Sequence, residues 1–209
     1  MAATGLETNN GNIVPTISRQ ATFFLTGALA GAASLPVDAA FLSLSQKPEH
    51  IFGLRHIQSN LAVLARTGIR FFSFDHVRTY SSHYLQLPTT LCGALGGAAG
   101  GLNEVILHSV VSGRRLPPLN AALSQSGKLF MCFGTYTYLS TTLSREPPPR
   151  PFWKCWLMGA TAGFVGSTVT AVIQGARNKA LLGAALRGTL VIGTVISVQV
   201  TSCAVGLSM

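Results

Sequence analysis

Charged residues are scarce in this chain, and acidic residues are the scarcest of them. Only 10% of the 209 residues are charged, whereas soluble domains usually carry about 25%. A deficit of this size excludes an ordinary water-soluble domain, because most of the surface cannot face water. Hydrophobic residues make up 48% of the chain. This composition predicts an integral membrane protein, in which each spanning helix needs about 20 mainly apolar residues.

Several functional signatures are also missing. The four cysteines lie far apart without CxxC or Cys/His spacing, so we expect buried free thiols and no metal site. The five histidines are scattered and no Ser/His/acid arrangement stands out, so we expect neither an enzyme nor a cofactor. The polar tail, residues 1–18, contains no Lys or Arg. We expect it to be disordered and to act neither as a secretory signal nor as a mitochondrial presequence.

The net charge of +9 comes from basic residues that are dispersed along the chain. No aromatic-basic cluster accompanies them, so a nucleic-acid partner is not expected. The connections after the first, third and fifth apolar segments are the more basic ones. By the positive-inside rule, these connections are predicted to face the matrix or cytoplasm, with both termini on the opposite side.

Six apolar segments with short connections form the predicted membrane domain, residues 19–209. We expect helices, because open sheets cannot span lipid. The second segment carries Arg66, Arg70, Asp75 and Arg78, so it cannot face lipid all round. The predicted helices cover residues 19–46, 58–85, 89–112, 119–143, 152–174 and 181–207.

A glycine pattern recurs in the odd-numbered segments. The sequence reads GALAG at 27–31, GGAAG at 96–100 and GATAG at 159–163, and Gly68, Gly127 and Gly188 align in the even-numbered segments. Such repetition predicts three tandem two-helix units, over residues 19–87, 88–146 and 147–209, although coincidence in a chain with 22 glycines is the alternative. Small residues let membrane helices pack closely. The predicted packing residues are Gly27, Gly31, Gly96, Gly100, Gly159 and Gly163.

This arrangement resembles the mitochondrial carrier family of the inner membrane. In both, three units each contain an odd helix with GxxAG followed by an even helix. The second segment ends in residues 74–78, FDHVR, which is similar to the family's pattern of an aromatic, an acid, two residues and a base. The resemblance implies an all-α membrane protein, a six-helix bundle with pseudo-threefold symmetry that transports a solute across the mitochondrial inner membrane.

The resemblance also implies gates made of ion pairs, and here the chain departs from the family. Where the family's odd helices carry a gate acid, this chain has Leu42, Val111 and Gln174. Pro36 and Asp38 match the Pro-x-Asp motif of the family's odd helices, but they lie about one helical turn before the equivalent position. The candidate gate residues are therefore Asp38, Asp75, Arg78, Arg114 and Arg177.

Basic residues near the aligned glycines of the even helices are candidates for substrate binding. Arg70, Lys128 and Arg187, with Arg66 nearby, would form a basic ring suited to an anionic solute if these faces line a cavity. The alternative is that they extend to the membrane interface. Glu104, the one acid of the third segment, is expected to hydrogen-bond locally with Asn103 and His108.

Two functions stay open at this point. The first is a divergent carrier of an anionic metabolite, whose partners are the lipid bilayer and that small molecule. The second is a non-transporting scaffold, assembly factor or accessory subunit that binds other inner-membrane proteins, and the missing gate residues favour it. The glycine-rich helices also resemble the inner-membrane translocase family, whose members have fewer spans.

Overall fold

The computed structural model describes residues 17–45, 54–111, 113, 117–143, 150–175 and 178–206. These residues form six α-helices and no β-strand, which confirms the all-helical prediction. Residues 1–16 of the predicted tail lie outside the described part of the chain. The helices are α1 (Ile17–Ser45), α2 (Leu54–His83), α3 (Thr89–Val111), α4 (Leu119–Thr142), α5 (Phe152–Ile173) and α6 (Asn178–Gly206).

Four of these helices are long and apolar enough to cross a bilayer, as a multi-pass membrane protein requires. The sequence predicts six spans, and α2 and α4 are the two described helices that do not meet this criterion. Helix α2 is too rich in charge, and α4 carries many polar side chains. The apolar stretches are Gln20–Val37, Thr89–Val111, Phe152–Ile173 and Leu181–Ser202.

The helix contacts form a closed cycle. Each helix packs against its neighbours in sequence, and α1 also packs against α6. Across this last contact, Gln199 Nε2 donates a buried hydrogen bond to Thr26 Oγ1 at 2.8 Å. The Thr26 hydroxyl donates in turn to the carbonyl oxygen of Thr22 at 2.7 Å. Such bonds satisfy polar groups that have no water to contact in an apolar environment.

Glycines bring the helices of the first and third pairs into backbone contact. A methyl group at Gly27 of α1 would lie 3.0 Å from the Thr67 carbonyl oxygen and 3.2 Å from Gly68 Cα, both on α2. A methyl group at Gly159 of α5 would lie 3.2 Å from Gly193 Cα on α6. The absence of a side chain is therefore what allows these helices to approach each other.

Helix α3 carries glycines on two faces. Gly96 and Gly100 lie against the backbone of α2, where a methyl group on either one would come within 2.7 Å of a carbonyl oxygen. Gly97 and Gly101 lie against α4 instead. The sequence repeat pairs Gly96 with Gly27 and Gly159, but Gly97 is the residue that faces the following helix as they do. In the packing, the glycine of the second unit that corresponds to Gly27 and Gly159 is therefore Gly97, one residue after the glycine that the sequence repeat selects.

The aligned glycines of the even helices do not occupy equivalent positions in the packing. Gly68 lies opposite Gly27, as the alignment requires. Gly188, however, lies opposite Gly163, and Gly193 lies opposite Gly159. Gly127 has no neighbouring atom within 4 Å of the position its Cβ would occupy, so it faces none of the helices.

An aromatic cluster, composed of Phe71, Phe74 and Phe133, joins α2 to α4. The ring centroid of Phe133 lies 5.5 Å from that of Phe71 and 4.4 Å from that of Phe74. Such ring pairs add to the free energy gained by removing apolar area from water. Three further buried side chains from α1, α4 and α6 complete the core here: Ala30, Leu129 and Val195.

Candidate functional site: a charged cluster between α2, α3 and α4

A charged cluster, composed of Arg66, Arg70, Glu104, Gln125 and Lys128, lies where α2, α3 and α4 meet. At its centre, Glu104 Oε2 accepts hydrogen bonds from Arg70 Nε at 2.9 Å and from Arg70 Nη2 at 2.6 Å. The two side chains are 15% and 13% exposed, so the ion pair is largely enclosed. Gly100 makes the pair possible, because its missing side chain leaves room for the Arg70 backbone.

The third donor to Glu104 comes from α4. Gln125 Nε2 donates to Oε2, the oxygen that Arg70 already uses, at 2.9 Å. Among the residues that the structure describes, none donates a hydrogen bond to the other oxygen, Oε1. The expected local partners are wrong. Asn103 donates to Ser73 Oγ on α2 at 2.8 Å, and His108 is exposed.

Lys128 lies one helical turn after Gln125 and is half-buried. It interacts electrostatically with Glu104, Arg70 and Arg187. Within the described part of the chain, however, its ammonium group has neither a hydrogen bond nor an ion-pair partner. A cation in such surroundings is unfavourable unless an anion compensates its charge.

One further cation, Arg66, belongs to the charged cluster, and another, Arg187, borders it. Arg66 lies one turn before Arg70 on α2, and its Nε donates to the Ala62 carbonyl oxygen at 3.1 Å. Arg187 on α6 is exposed and lies within electrostatic range of Lys128. Of the predicted substrate-binding residues, Arg70 lies in the largely enclosed ion pair, Lys128 is half-buried within electrostatic range of it, and Arg187 is exposed. One carboxylate therefore faces several cations, and the charged cluster carries a surplus of positive charge.

The candidate gate residues are more scattered. Asp75 Oδ1 lies 3.6 Å from Arg78 Nη2 of the same helix, so this ion pair links two turns of α2. The Arg78 guanidinium also lies 5.5 Å from the ring centroid of Phe74. Arg114, Arg177 and the side chain of Asp38 lie outside the described residues.

Gln174 occupies the position at which the carrier family has an acid in the third unit. Its Nε2 donates to Ser124 Oγ of α4 at 2.5 Å. The bond is exposed and joins α5 to the beginning of α4. A neutral hydrogen bond thus links helices where the resemblance implies an ion pair.

No metal-binding arrangement is found in the parts of the chain that the structure describes, since no three His, Cys, Asp or Glu side chains are suitably grouped there. Cys92, Cys132 and Cys155 are buried free thiols.

No protein-family model matches this sequence, and no curated protein or solved structure matches it either. The charged cluster and the helices around it are therefore the basis for assigning a function.

Proposed function

We propose that this protein is a membrane carrier that binds an anionic metabolite at the charged cluster. The observation that carries this proposal is the ammonium group of Lys128, which has no hydrogen-bond or ion-pair partner among the residues that the structure describes. Glu104 already compensates the charge of Arg70, so Lys128 is left to attract a ligand. A polar or charged group inside a membrane bundle is costly and commonly marks a solute pathway. A bound anion would remove that cost and would be held by the surplus positive charge.

Uptake into liposomes tests this function. Purified protein should support saturable uptake of at least one anionic metabolite, and Lys128→Gln should reduce that uptake at least tenfold. Lys128→Arg should retain part of it, because the positive charge remains. Lys154→Gln, at the start of α5 and away from the charged cluster, is the matched control. Uptake that is equal in the Lys128→Gln and wild-type proteins would overturn the proposal.

We further propose that all six helices span the mitochondrial inner membrane as three two-helix units, in the manner of a divergent mitochondrial carrier. Helices α2 and α4 would turn their polar faces inward while the four more apolar helices face lipid. The closed cycle of helix contacts supports this arrangement, as do the glycine contacts within each pair. The basic connections would face the matrix, and both termini would face the intermembrane space.

Protease protection in isolated mitochondria tests this location and orientation. Epitope tags at both termini should become accessible when the outer membrane is ruptured and not before. Tags that stay protected after this rupture would contradict the orientation. A protein that does not fractionate with mitochondria would contradict the location.

The aromatic cluster favours a second candidate function, a non-transporting scaffold or accessory subunit of an inner-membrane complex. The rings of Phe71, Phe74 and Phe133 fill the space between α2 and α4. Where the carrier family has a gate ion pair, Gln174 forms a neutral hydrogen bond. Rings that fill the space between α2 and α4, together with a neutral hydrogen bond at Gln174, suit a fixed helical platform. Migration with a large assembly in mild detergent, combined with no solute uptake, would favour this candidate over the carrier.

A further inference from the structure

We infer that the ligand of the charged cluster is a zwitterion of the α-amino-acid type, which carries both a carboxylate and an ammonium group. This inference rests on the proposed function and specifies its substrate class. Its basis is a pair of groups of opposite charge for which the described part of the chain supplies no direct partner, Glu104 Oε1 and the Lys128 ammonium.

The carboxylate of Glu104 is engaged on one side only. Two nitrogens of Arg70 and one of Gln125 all donate to Oε2, and no described residue donates to Oε1. Each carboxylate oxygen can accept about two hydrogen bonds. Oε1 is not among the fully buried side-chain atoms of the described residues that lack a partner, so a ligand can reach it. An ammonium group, with three N–H donors, is a suitable partner for this oxygen.

Lys128 supplies the complementary charge beside this carboxylate. It follows Gln125 by three residues, and residues at this spacing share a helix face. Because Gln125 already contacts Glu104, Lys128 extends from the face of α4 that carries this contact. A ligand carboxylate could therefore bind Lys128 while the rest of the ligand remains near Glu104.

The arrangement of charges favours a zwitterion over a simple anion. An anion without an amino group would bind Lys128 but would supply no N–H donor to Glu104 Oε1, to which no described residue donates. An amino acid presents its negative group to the lysine and its positive group to the glutamate. Both unmatched groups of the charged cluster are then satisfied by one small molecule.

Pairs of ligands that differ only in the amino group test this inference. Full-length purified protein is titrated with alanine and lactate, and with glutamate and 2-hydroxyglutarate, and binding is followed by thermal unfolding. At least one amino acid should bind tenfold or more tightly than its hydroxy analogue. Hydroxy acids that bind as tightly as the amino acids would overturn the inference and leave the anion carrier intact. Binding of neither class would overturn both.

Variants at Glu104 and Lys128 separate the two proposed contacts, which are that of Glu104 with the ligand's ammonium group and that of Lys128 with its carboxylate. Glu104→Gln should reduce the preference for the amino acid over its hydroxy analogue at least tenfold. Lys128→Gln should lower the affinity for both ligands of a pair to a similar extent. Because Glu104→Gln leaves Arg70 unpaired, the double variant Arg70→Gln/Glu104→Gln is the reference if the single variant aggregates. Full retention of the preference in either Glu104 variant would contradict the inference. The wild-type comparison does not depend on the folding of any variant.

Discussion

Arg70 of α2 and Glu104 of α3 form an ion pair across a helical hairpin, with Arg70 Nη2 2.6 Å from Glu104 Oε2. The two residues lie at nearly the same distance along the chain from the turn at Gln86, where the backbone φ is +49°. Antiparallel packing of the two helices therefore places them opposite each other. The pair neutralises one cation of the charged cluster, whereas Lys128 has no hydrogen-bond or ion-pair partner among the described residues.

Breaking this pair from one side should destabilise the protein. Glu104→Leu leaves Arg70 unpaired in a largely enclosed site, and we expect a loss of about 2–3 kcal/mol. The double variant Arg70→Met/Glu104→Leu should recover most of this loss, because no unpaired charge remains. Unfolding in detergent measures the double-mutant cycle. Losses that simply add would show that the two residues are not coupled.

The glycines of α3 and α4 should respond differently to the same small substitution. Gly97→Ala places a methyl group 2.8 Å from Phe133 Cβ and even closer to the Leu129 carbonyl oxygen. We expect it to cost about 1–3 kcal/mol through overpacking. Gly127→Ala meets nothing within 4 Å. That control should be neutral or stabilising by up to about 1 kcal/mol, because alanine favours a helix over glycine. Equal melting temperatures for the two variants would contradict the register described for α3 and α4.

Contact between the first and last helices can be tested by cross-linking. In a variant whose native cysteines are replaced by serine, a short bifunctional thiol reagent should link Thr26→Cys to Gln199→Cys within one molecule, because the native side chains touch at 2.8 Å. Thr26→Cys combined with Leu182→Cys, at an exposed position of α6, is the control and should not react. A cross-link in neither protein would contradict the closed cycle of helices.

The aromatic cluster should contribute strongly to stability. Phe133 is 4% exposed and touches two other rings, so Phe133→Ala should cost about 3–5 kcal/mol. Phe164, which is 49% exposed on α5, is the matched control. Phe164→Ala should change the melting temperature in detergent very little. A similar small change for Phe133→Ala would mean that the rings do not pack in the membrane protein as described.

The helices could be predicted from the sequence because long apolar runs separated by proline and polar residues have few alternatives in a membrane. The predicted segment 89–112 agrees closely with α3, Thr89–Val111. The sequence predicts less well which glycines of a helix face which neighbouring helix. One residue turns a helix by about 100°, and the run from Gly96 to Gly101 offers glycines at two such rotations. Only the positions of α2 and α4 decide which glycines face which helix.

The charges of the candidate site could be predicted, but their partners could not. Arg70 and Lys128 stand out as bases within helices. The sequence predicts Asn103 and His108, on the same helix, as partners of Glu104, whereas its partners come from α2 and α4. The similar distances of Arg70 and Glu104 from the turn at Gln86 are the signal that would have revealed the pair. Only the packed helices show that no described residue forms a hydrogen bond or an ion pair with Lys128.

Thermal unfolding of the wild-type and Lys128→Gln proteins with a panel of anionic and zwitterionic metabolites tests the proposed binding site most directly. A ligand at a hundred times its Kd stabilises the folded state by about 2.7 kcal/mol, so the wild-type melting temperature should rise by several degrees with at least one metabolite. Lys128→Gln should lose this rise. Without ligand, the variant should melt at the same temperature or higher, because the unpaired cation is gone. An equal rise in both proteins, or no rise with any metabolite, would contradict a ligand site at Lys128.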